Sequence, residues 1–302
     1  MHSLLLSILS IYLFIGIGYL AKSVFKEKID NKTLTLLSVY FLQIFLTLWG
    51  LLKQPLNSDI LITPLIYLVI ILGLFIIMLP LARALFKDPK ERSIATIAAF
   101  IGNTGNLGIP LGIAIFGEES IPYTTLINLV NVFFVYTVGV YVYSRGNFSI
   151  KKSLLNIVKI PILWAALGAI GLNLMGYIPE GNIEKTLQMG AYAAIVIQLL
   201  LFGIYLYDAK IKELNRLLLV WVSSIKFILI PVLAFIVLLF IDISPFIKGI
   251  LLLELMVPLA VANLNFASLY ECKPNELASL VFISSLLFLG IVFVFIEIIK
   301  YF

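Results

Sequence analysis

The segment from Gly102 to Pro110 holds the residues whose types and spacing are best suited to binding chemistry. It reads GNTGNLGIP, so three glycines, two asparagines and a proline interrupt a long apolar run. Glycine and proline both destabilise a helix interior, and we expect the backbone to leave the helix here and expose its amides and carbonyls. Pro110 suits the first turn of the helix that resumes, because its missing N–H is no loss there. That helix start would direct a positive dipole end toward an anionic group.

A second apolar run, LMVPLAVANLN, repeats the pattern half a chain length later. Pro258 interrupts it, and two asparagines follow. The alternative is that both segments are packing kinks whose small residues admit a close neighbouring helix. The binding interpretation predicts eight residues that contact a substrate: Asn103, Thr104, Asn106, Ile109, Pro110, Pro258, Asn263 and Asn265.

Two charged residues lie inside apolar runs. Lys226 falls roughly 18 Å from the predicted cytoplasmic end of its span, and Glu254 lies about 10 Å inside the opposite face, at about 1.5 Å rise per residue. Each would cost on the order of 2.5–3.5 kcal/mol if unpaired and facing lipid. We predict either a static pair, with snorkelling of Lys226 as a further option, or ion or proton coupling in which Glu254 titrates beside Lys226.

Other polar residues inside apolar runs are weaker candidates. Asn128 and Asn131 lie one turn apart on one helix face. Gln43 and Gln198 each stand alone, and any of the four could line a cavity. Taken singly, each is more typical of a hydrogen bond between helices.

The elements that position these residues are predicted to be membrane helices. Of the 302 residues, 62% are apolar and 12% are charged, and the mean hydropathy is +1.12. A soluble domain is about 45–50% apolar and about 25% charged, so the excess apolar surface must face lipid. Ten apolar segments are long enough to span a bilayer: 3–21, 31–52, 60–84, 92–116, 121–143, 154–174, 184–206, 214–240, 247–270 and 275–299.

The distribution of basic residues predicts the orientation. Of the 21 Lys and Arg residues, sixteen fall in one set of alternating loops, four in the other set and one, Lys226, inside a span. Basic loops remain cytoplasmic, so both termini are predicted to be non-cytoplasmic, in the plasma membrane. The most basic connection divides the chain into a first repeat (1–143), a cytoplasmic linker (144–153) and a second repeat (154–302). Five spans in each half require that the repeats be inverted.

The stretch NTGNLGIPLGIAIFG, from Asn103 to Gly117, resembles the fourth-helix signature of the auxin efflux carrier family. Pro258, Ala267, Tyr270 and the ELASLVFISSLL stretch after Pro274 agree with the ninth helix of that family. The resemblance implies an all-α membrane protein of ten helices in two inverted five-helix repeats, with broken helices 4 and 9 crossing at the substrate site. It also implies that Asn103 contacts the carboxylate of an organic anion, and that Pro110 and Pro258 are the crossover prolines.

The chain departs from the plant members of that family at three places. Asn263 stands where they have a second proline in the ninth helix, Gln43 stands near a position that often holds a proline, and the long cytoplasmic loop is absent. These departures leave the solute open, and nothing in the sequence favours auxin itself.

The function predicted from these patterns is a secondary-active carrier of a small organic anion, such as a mono- or dicarboxylate, working by alternating access. An uncoupled uniporter or a membrane sensor of the same fold is the alternative. An enzyme is disfavoured because there is no HExxH or GxSxG motif, only His2 and only Cys272. No cofactor, metal or nucleic acid is expected. The expected partners are the lipid bilayer, the anion and a proton or sodium coupling ion, and a homodimer is left open.

Overall fold

The computed structural model of the chain describes residues 2–145, 149, 155–208 and 215–302. Within these residues the regular structure is helical, and strand-like pairing is limited to one isolated antiparallel bridge. Most of the predicted linker, 144–153, lies outside the described residues. The helices, in chain order, are α1 (His2–Phe25), α2 (Asn31–Leu52), α3 (Ser58–Leu85), α4 (Pro89–Ile97), α5 (Ile109–Phe116), α6 (Glu118–Tyr143), α7 (Pro161–Leu174), α8 (Gly181–Asp208), α9 (Arg216–Leu239), α10 (Pro245–Met256), α11 (Ala262–Leu269) and α12 (Pro274–Ile298).

Seven helices of the described chain are long and apolar enough to cross a bilayer: α1, α2, α3, α6, α8, α9 and α12. This confirms the prediction of an all-helical membrane protein. The other three predicted spans correspond to shorter pieces. Span 92–116 is divided into α4 and α5, span 247–270 into α10 and α11, and the described helix of span 154–174 is α7.

Two widened, π-helical turns come just before a proline, one leading into α5 and one inside α9. These turns cover Thr104–Gly108, before Pro110 in α5, and Ile225–Leu229, before Pro231 in α9. A proline has no N–H to bond the carbonyl four residues earlier, and its ring pushes that carbonyl away. Such turns are frequent at functional sites, and these two carry Thr104 and Lys226.

The chain folds into two compact units, each assembled from both halves of the sequence. The first comprises Met1–Ile62, Gly105–Leu129 and Leu155–Asp208, and the second comprises Thr63–Thr104, Val130–Leu154 and Ala209–Phe302. The predicted repeats, 1–143 and 154–302, divide the chain by sequence, whereas the compact units divide it by packing.

In the first unit, helices α1 and α8 approach at two glycines. A Cβ on Gly18 would lie 2.0 Å from the carbonyl oxygen of Leu200, and one on Gly203 would lie 1.9 Å from that of Ile15. Backbones can come this close only where side chains are absent, which is the usual device of membrane helix pairs. Asn173 of α7 donates hydrogen bonds of 2.8 Å to the carbonyls of Leu51 and Gln54 at the end of α2.

The core of the second unit is aromatic around α3. Phe75 meets the rings of Phe100 and Phe134 edge to face, at centroid distances of 5.9 and 6.1 Å. Trp221 of α9 donates a hydrogen bond of 2.9 Å to the carbonyl of Ala95 in α4. These contacts hold the end of α4, where the chain leaves the helix, against α3, α6 and α9.

Candidate functional site

Two breaks in the helices meet within the second unit. The first follows α4, where a single 3-10 turn (Ala98–Phe100) leads into extended backbone. The second follows α10. The breaks run antiparallel: the amide of Asn103 donates to the carbonyl of Pro258 at 2.8 Å, and the amide of Ala260 donates to the carbonyl of Ile101 at 2.9 Å. Backbone groups that lost their helical partners therefore satisfy one another, as the interior of a bilayer requires.

Pro258 causes the second break. The residue before a proline is sterically excluded from the helical region, and Val257 accordingly has φ −49° and ψ 145°. Helix α10 ends at Met256, and Pro258 presents its carbonyl to Asn103. The amide of the next residue, Leu259, donates to the hydroxyl of Ser284 in α12 at 3.2 Å.

The side chain of Asn263 bridges the two breaks. Its Nδ2 lies 3.0 Å from the carbonyl oxygen of Ile101, 3.2 Å from that of Ala260 and 3.4 Å from that of Ala98. The hydroxyl of Tyr143 donates to its Oδ1 at 2.8 Å. Asn263 is fully buried, so these contacts occupy both ends of its amide.

Asn131 supports the other side of the first break. Its Nδ2 donates to the carbonyl of Gly102 at 3.0 Å and to the hydroxyl of Thr104 at 2.9 Å. The hydroxyl of Tyr67, in α3, lies 3.5 Å from its Oδ1. Asn131, Thr104 and Tyr67 are all buried. The predicted cavity-lining residue Asn131 thus contacts the predicted binding segment directly.

The buried charges lie at the same place. A Cβ on Gly102 would lie 3.0 Å from Nζ of Lys226, so the ammonium group rests against the first break. Lys226 is 1% exposed and Glu254 is fully buried. The two groups interact electrostatically, yet no direct ion pair within 4 Å joins them in the described part of the chain.

Three buried polar atoms near the crossing have no hydrogen-bond partner among the described residues. They are Nδ2 of Asn103 and both carboxylate oxygens of Glu254. Buried polar groups are nearly always satisfied, so an unpaired amide donor and an unpaired carboxylate beside a buried ammonium are unusual. In a site of low dielectric, an ammonium and an amide donor together favour an anion.

The remaining predicted residues lie elsewhere. Asn265, in α11, is exposed. Five others belong to the first unit, where Pro110 occupies the first turn of α5 as predicted and Asn128 lies over Gly105, whose Cβ would meet its Oδ1 at 2.8 Å. These five are Gln43, Asn106, Ile109, Pro110 and Asn128.

Sequence reasoning did not single out Tyr67, Tyr143 or Ser284. None of them carries a spacing signal: Tyr67 lies in an apolar run, Tyr143 lies at the end of α6, and Ser284 is one of two adjacent serines. Within the described residues, no group of three or more His, Cys, Asp or Glu side chains is placed to hold a metal ion.

Comparison with known proteins identifies the chain. A family model described as "membrane transport protein" matches it twice, over residues 3–148 and 147–296. This chain belongs to the membrane transport protein family. The resemblance of its fourth-helix motif to the auxin efflux carrier family is thereby confirmed. The two matches meet inside the segment 144–153, so each half of this transporter matches the family model.

The transporter is also similar to a curated archaeal protein. An uncharacterized transporter of Methanocaldococcus jannaschii is 28% identical to it over 289 residues, covering 92% of this chain and 93% of the relative. Both comparisons describe a transporter, which agrees with transport rather than catalysis.

Proposed function

We propose that the chain is a secondary carrier of a small organic anion, such as a mono- or dicarboxylate, and that it works by alternating access around the two crossing breaks. The observation that carries the proposal is the ammonium of Lys226 resting against Gly102, next to Asn103, whose buried Nδ2 has no partner among the described residues. A carboxylate is the smallest organic group that satisfies both.

Lys226 and Asn103 have different roles in this proposal. Two unit charges about 4 Å apart interact by about 4 kcal/mol at an effective dielectric of about 20, whereas a hydrogen bond contributes about 1–3 kcal/mol. Lys226 therefore supplies most of the attraction for the anion. Asn103 supplies direction, because its side chain extends from a backbone position that the hydrogen bond to Pro258 holds in place.

Glu254 balances Lys226 when the site is empty and is the group we propose for coupling. An anion that pairs with Lys226 leaves Glu254 as a second negative charge in a buried place, and uptake of a proton by that carboxylate removes the repulsion. In the described residues, Glu254 interacts electrostatically with the ammonium of Lys226 and with the ionisable hydroxyl of Tyr67. The alternatives to proton coupling are coupling to sodium bound by backbone carbonyls and uncoupled uniport. The uptake experiment distinguishes the three.

The test is uptake into proteoliposomes of purified protein, with labelled mono- and dicarboxylates, with and without sodium and with and without a pH gradient. We expect saturable uptake of a carboxylate that a proton gradient drives and sodium leaves unchanged. Uptake should be lost in Lys226→Met and reduced by between about tenfold and about a hundredfold in Asn103→Ala, since a hydrogen bond to a charged group is worth about 1.5–3 kcal/mol. Asn156→Ala, at an exposed asparagine, and Lys87→Met, at an exposed lysine, are the matched controls.

Glu254→Gln tests the coupling separately from the binding. It should leave carboxylate binding intact and abolish the response to the proton gradient. If Lys226→Met and Glu254→Gln both retained transport with its pH dependence, coupling through this pair would be refuted. A preference for sugars or cations would refute the anion site, and carboxylate binding without uptake would indicate a sensor.

We further propose that both termini are non-cytoplasmic. The support is the bias of basic residues toward one set of loops. A cysteine added after Phe302 should react with a membrane-impermeant maleimide on intact cells, whereas one replacing Lys87 should react only after permeabilisation. The reverse pattern would overturn the orientation.

A further inference from the structure

A basic cavity lies in the second unit, apart from the crossing of the two breaks. Its volume is about 370 Å³, within the range of small-ligand sites. Three helices line it: α3 through Leu79 and Arg83, the start of α4, and the end of α6 with Arg145 just after it. The α4 residues are Pro89, Arg92, Ser93 and Thr96, whose spacing of three and four places them on one face of that helix.

The cavity carries three positive charges and no negative one among its lining residues. The guanidinium groups of Arg83 and Arg92 form no ion pair within 4 Å in the described chain. Among the described residues, Arg145 donates only to uncharged groups, the carbonyl of Tyr270 at 3.4 Å and the sulfur of Cys272 at 3.3 Å. Arginine keeps its charge at any physiological pH, so these three charges persist.

The acidic residues next to Pro89 and Arg92 in the sequence are engaged by a different cation. Asp88 and Glu91 pair with Lys273 at 3.0 and 2.5 Å. Lys273 also lies 3.4 Å from Glu276. This arrangement leaves the three guanidinium groups to face the cavity without a counter-charge from the described protein.

We propose that this cavity binds a phosphate-bearing anion. Guanidinium groups bind phosphate oxygens through paired, charge-assisted hydrogen bonds, and a phosphate monoester or diester supplies the negative charge that the cavity lacks. The basic-loop count predicts that Arg83, Arg92 and Arg145 lie at the cytoplasmic face, where both anionic lipid headgroups and soluble phosphate esters are found. The inference rests on this cavity alone and is independent of the proposed transport function.

The test measures binding to the purified full-length chain in a neutral detergent, by thermal unfolding and by microscale thermophoresis. The probes are short-chain phosphatidylglycerol, short-chain phosphatidylcholine, glycerol 3-phosphate and inorganic phosphate. Tighter binding of phosphatidylglycerol than of the two soluble phosphates assigns the site to a lipid headgroup. Equal or tighter binding of a soluble phosphate assigns it to a phosphate ester. Either result supports the proposal, and binding of none of the three phosphate anions above the phosphatidylcholine background overturns it.

Variants connect the binding to the cavity. Arg83→Gln and Arg92→Gln should each weaken phosphate binding about tenfold, the loss expected for one charge-assisted contact. Arg92→Lys keeps the charge without the paired geometry and should recover only part of the affinity. Lys87→Gln, at an exposed lysine beside the cavity's arginines in sequence, should leave binding unchanged.

Two results would contradict the proposal even if a phosphate anion binds. One is unchanged affinity in the Arg83→Gln/Arg92→Gln double variant. The other is an equal loss in Lys87→Gln, which would indicate attraction by surface charge in general. Because neither Arg83 nor Arg92 forms an ion pair in the described protein, the ligand-free unfolding temperature of these variants should match the unsubstituted chain. If a variant with an unchanged unfolding temperature binds phosphate more weakly, the loss of affinity arises at the cavity and not from a disturbed fold.

Discussion

The hydroxyl of Tyr143 donates a hydrogen bond of 2.8 Å to Oδ1 of Asn263, although the two residues are 120 positions apart in the chain. Through that bond, the end of α6 orients the amide that joins the carbonyls of both breaks. The remaining donor and acceptor atoms of the crossing belong mainly to the backbone, so the orientation of this single side chain has a large effect on the geometry.

Tyr143→Phe removes that hydrogen bond without changing the shape of the ring. We expect a loss of about 1–3 kcal/mol in stability, because the buried Oδ1 of Asn263 is left without its donor. Thermal unfolding in detergent measures it, and Tyr177→Phe, at a side chain that is 41% exposed, is the control. Equal unfolding temperatures for the Tyr143 variant and the unsubstituted chain would show that the bond does not stabilise the fold.

Asn131→Leu removes the donors to the carbonyl of Gly102 and the hydroxyl of Thr104. The variant should unfold at a lower temperature, by the equivalent of about 1–3 kcal/mol for each group left unpaired, and should transport poorly because the first break is no longer held. Asn156→Leu is the control, since that asparagine is exposed. A variant with normal unfolding and normal uptake would refute the supporting role of Asn131.

Gly102→Ala places a methyl group 3.0 Å from Nζ of Lys226 and 3.2 Å from Cγ2 of Val257. The flexible end of the lysine can move away, so we expect little loss of stability but a displaced ammonium. A misplacement of about 1 Å can lower a rate about a hundredfold, and uptake should fall by between about tenfold and that limit. Gly73→Ala, where a Cβ would meet nothing within 4 Å, should transport normally.

Gly18→Ala tests the close approach of α1 and α8. The added Cβ would lie 2.0 Å from the backbone oxygen of Leu200, and backbone cannot move aside as a side chain can. Overpacking commonly costs about 1–3 kcal/mol, and we expect a loss at or above the upper end. Gly16→Ala is the control on the same helix, where a Cβ would meet nothing within 4 Å. Similar unfolding temperatures for the two variants would contradict the close approach.

The carboxylates around Lys273 predict a dependence of stability on pH. Backbone donation from Lys90 and the bond from Lys273 lower the pKa of Asp88. Burial lowers the pKa of Lys273, but its bonds to Glu91 and Asp88 outweigh that effect and raise the pKa above its usual value. The contribution of Asp88 is therefore present above about pH 3.9 and lost as the pH falls through its lowered pKa. That of Lys273 is present below about pH 10.4 and lost as the pH rises through its raised pKa.

The measurement is the difference in unfolding temperature between the unsubstituted chain and Lys273→Met. This difference should stay constant between about pH 5 and pH 9 and shrink as the pH falls below about 4, since protonated carboxyls no longer attract the lysine. Lys87→Met should show no such trend. A difference that grew on acidification would mean that the carboxylates are not the partners that Lys273 stabilises.

The parts of the fold that depend on residues close together in the sequence could be predicted from it. Apolar runs indicated membrane helices, and Pro110 and Pro258 indicated where two of them are interrupted. The extent of the first break was less predictable: the chain is extended only around Ile101–Asn103, and the glycines at 105 and 108 lie in a π-helical turn. A widened turn keeps most backbone hydrogen bonds, so glycine content alone overstates how far a helix unwinds.

The partners at the site could not be predicted in the same way. Tyr67, Tyr143 and Ser284 form no pattern that the sequence shows, and their importance comes from contacts with Asn131, Asn263 and Leu259. These contacts depend on how distant helices pack. The same is true of the two compact units, each of which draws segments from both halves of the chain.

The two hydrogen bonds that join Asn103 to Pro258 and Ala260 to Ile101 use main-chain atoms only. Such a joint can be inherited while many of the amino acids around it are replaced, provided that the residues which end the helix and support the breaks, such as Pro258, Asn131 and Asn263, are kept. Relatives that share only about a quarter of their residues can preserve one architecture and still diverge in what they recognise. What each relative binds is then determined by the few side chains that project from the two hydrogen-bonded segments, rather than by the backbone of those segments.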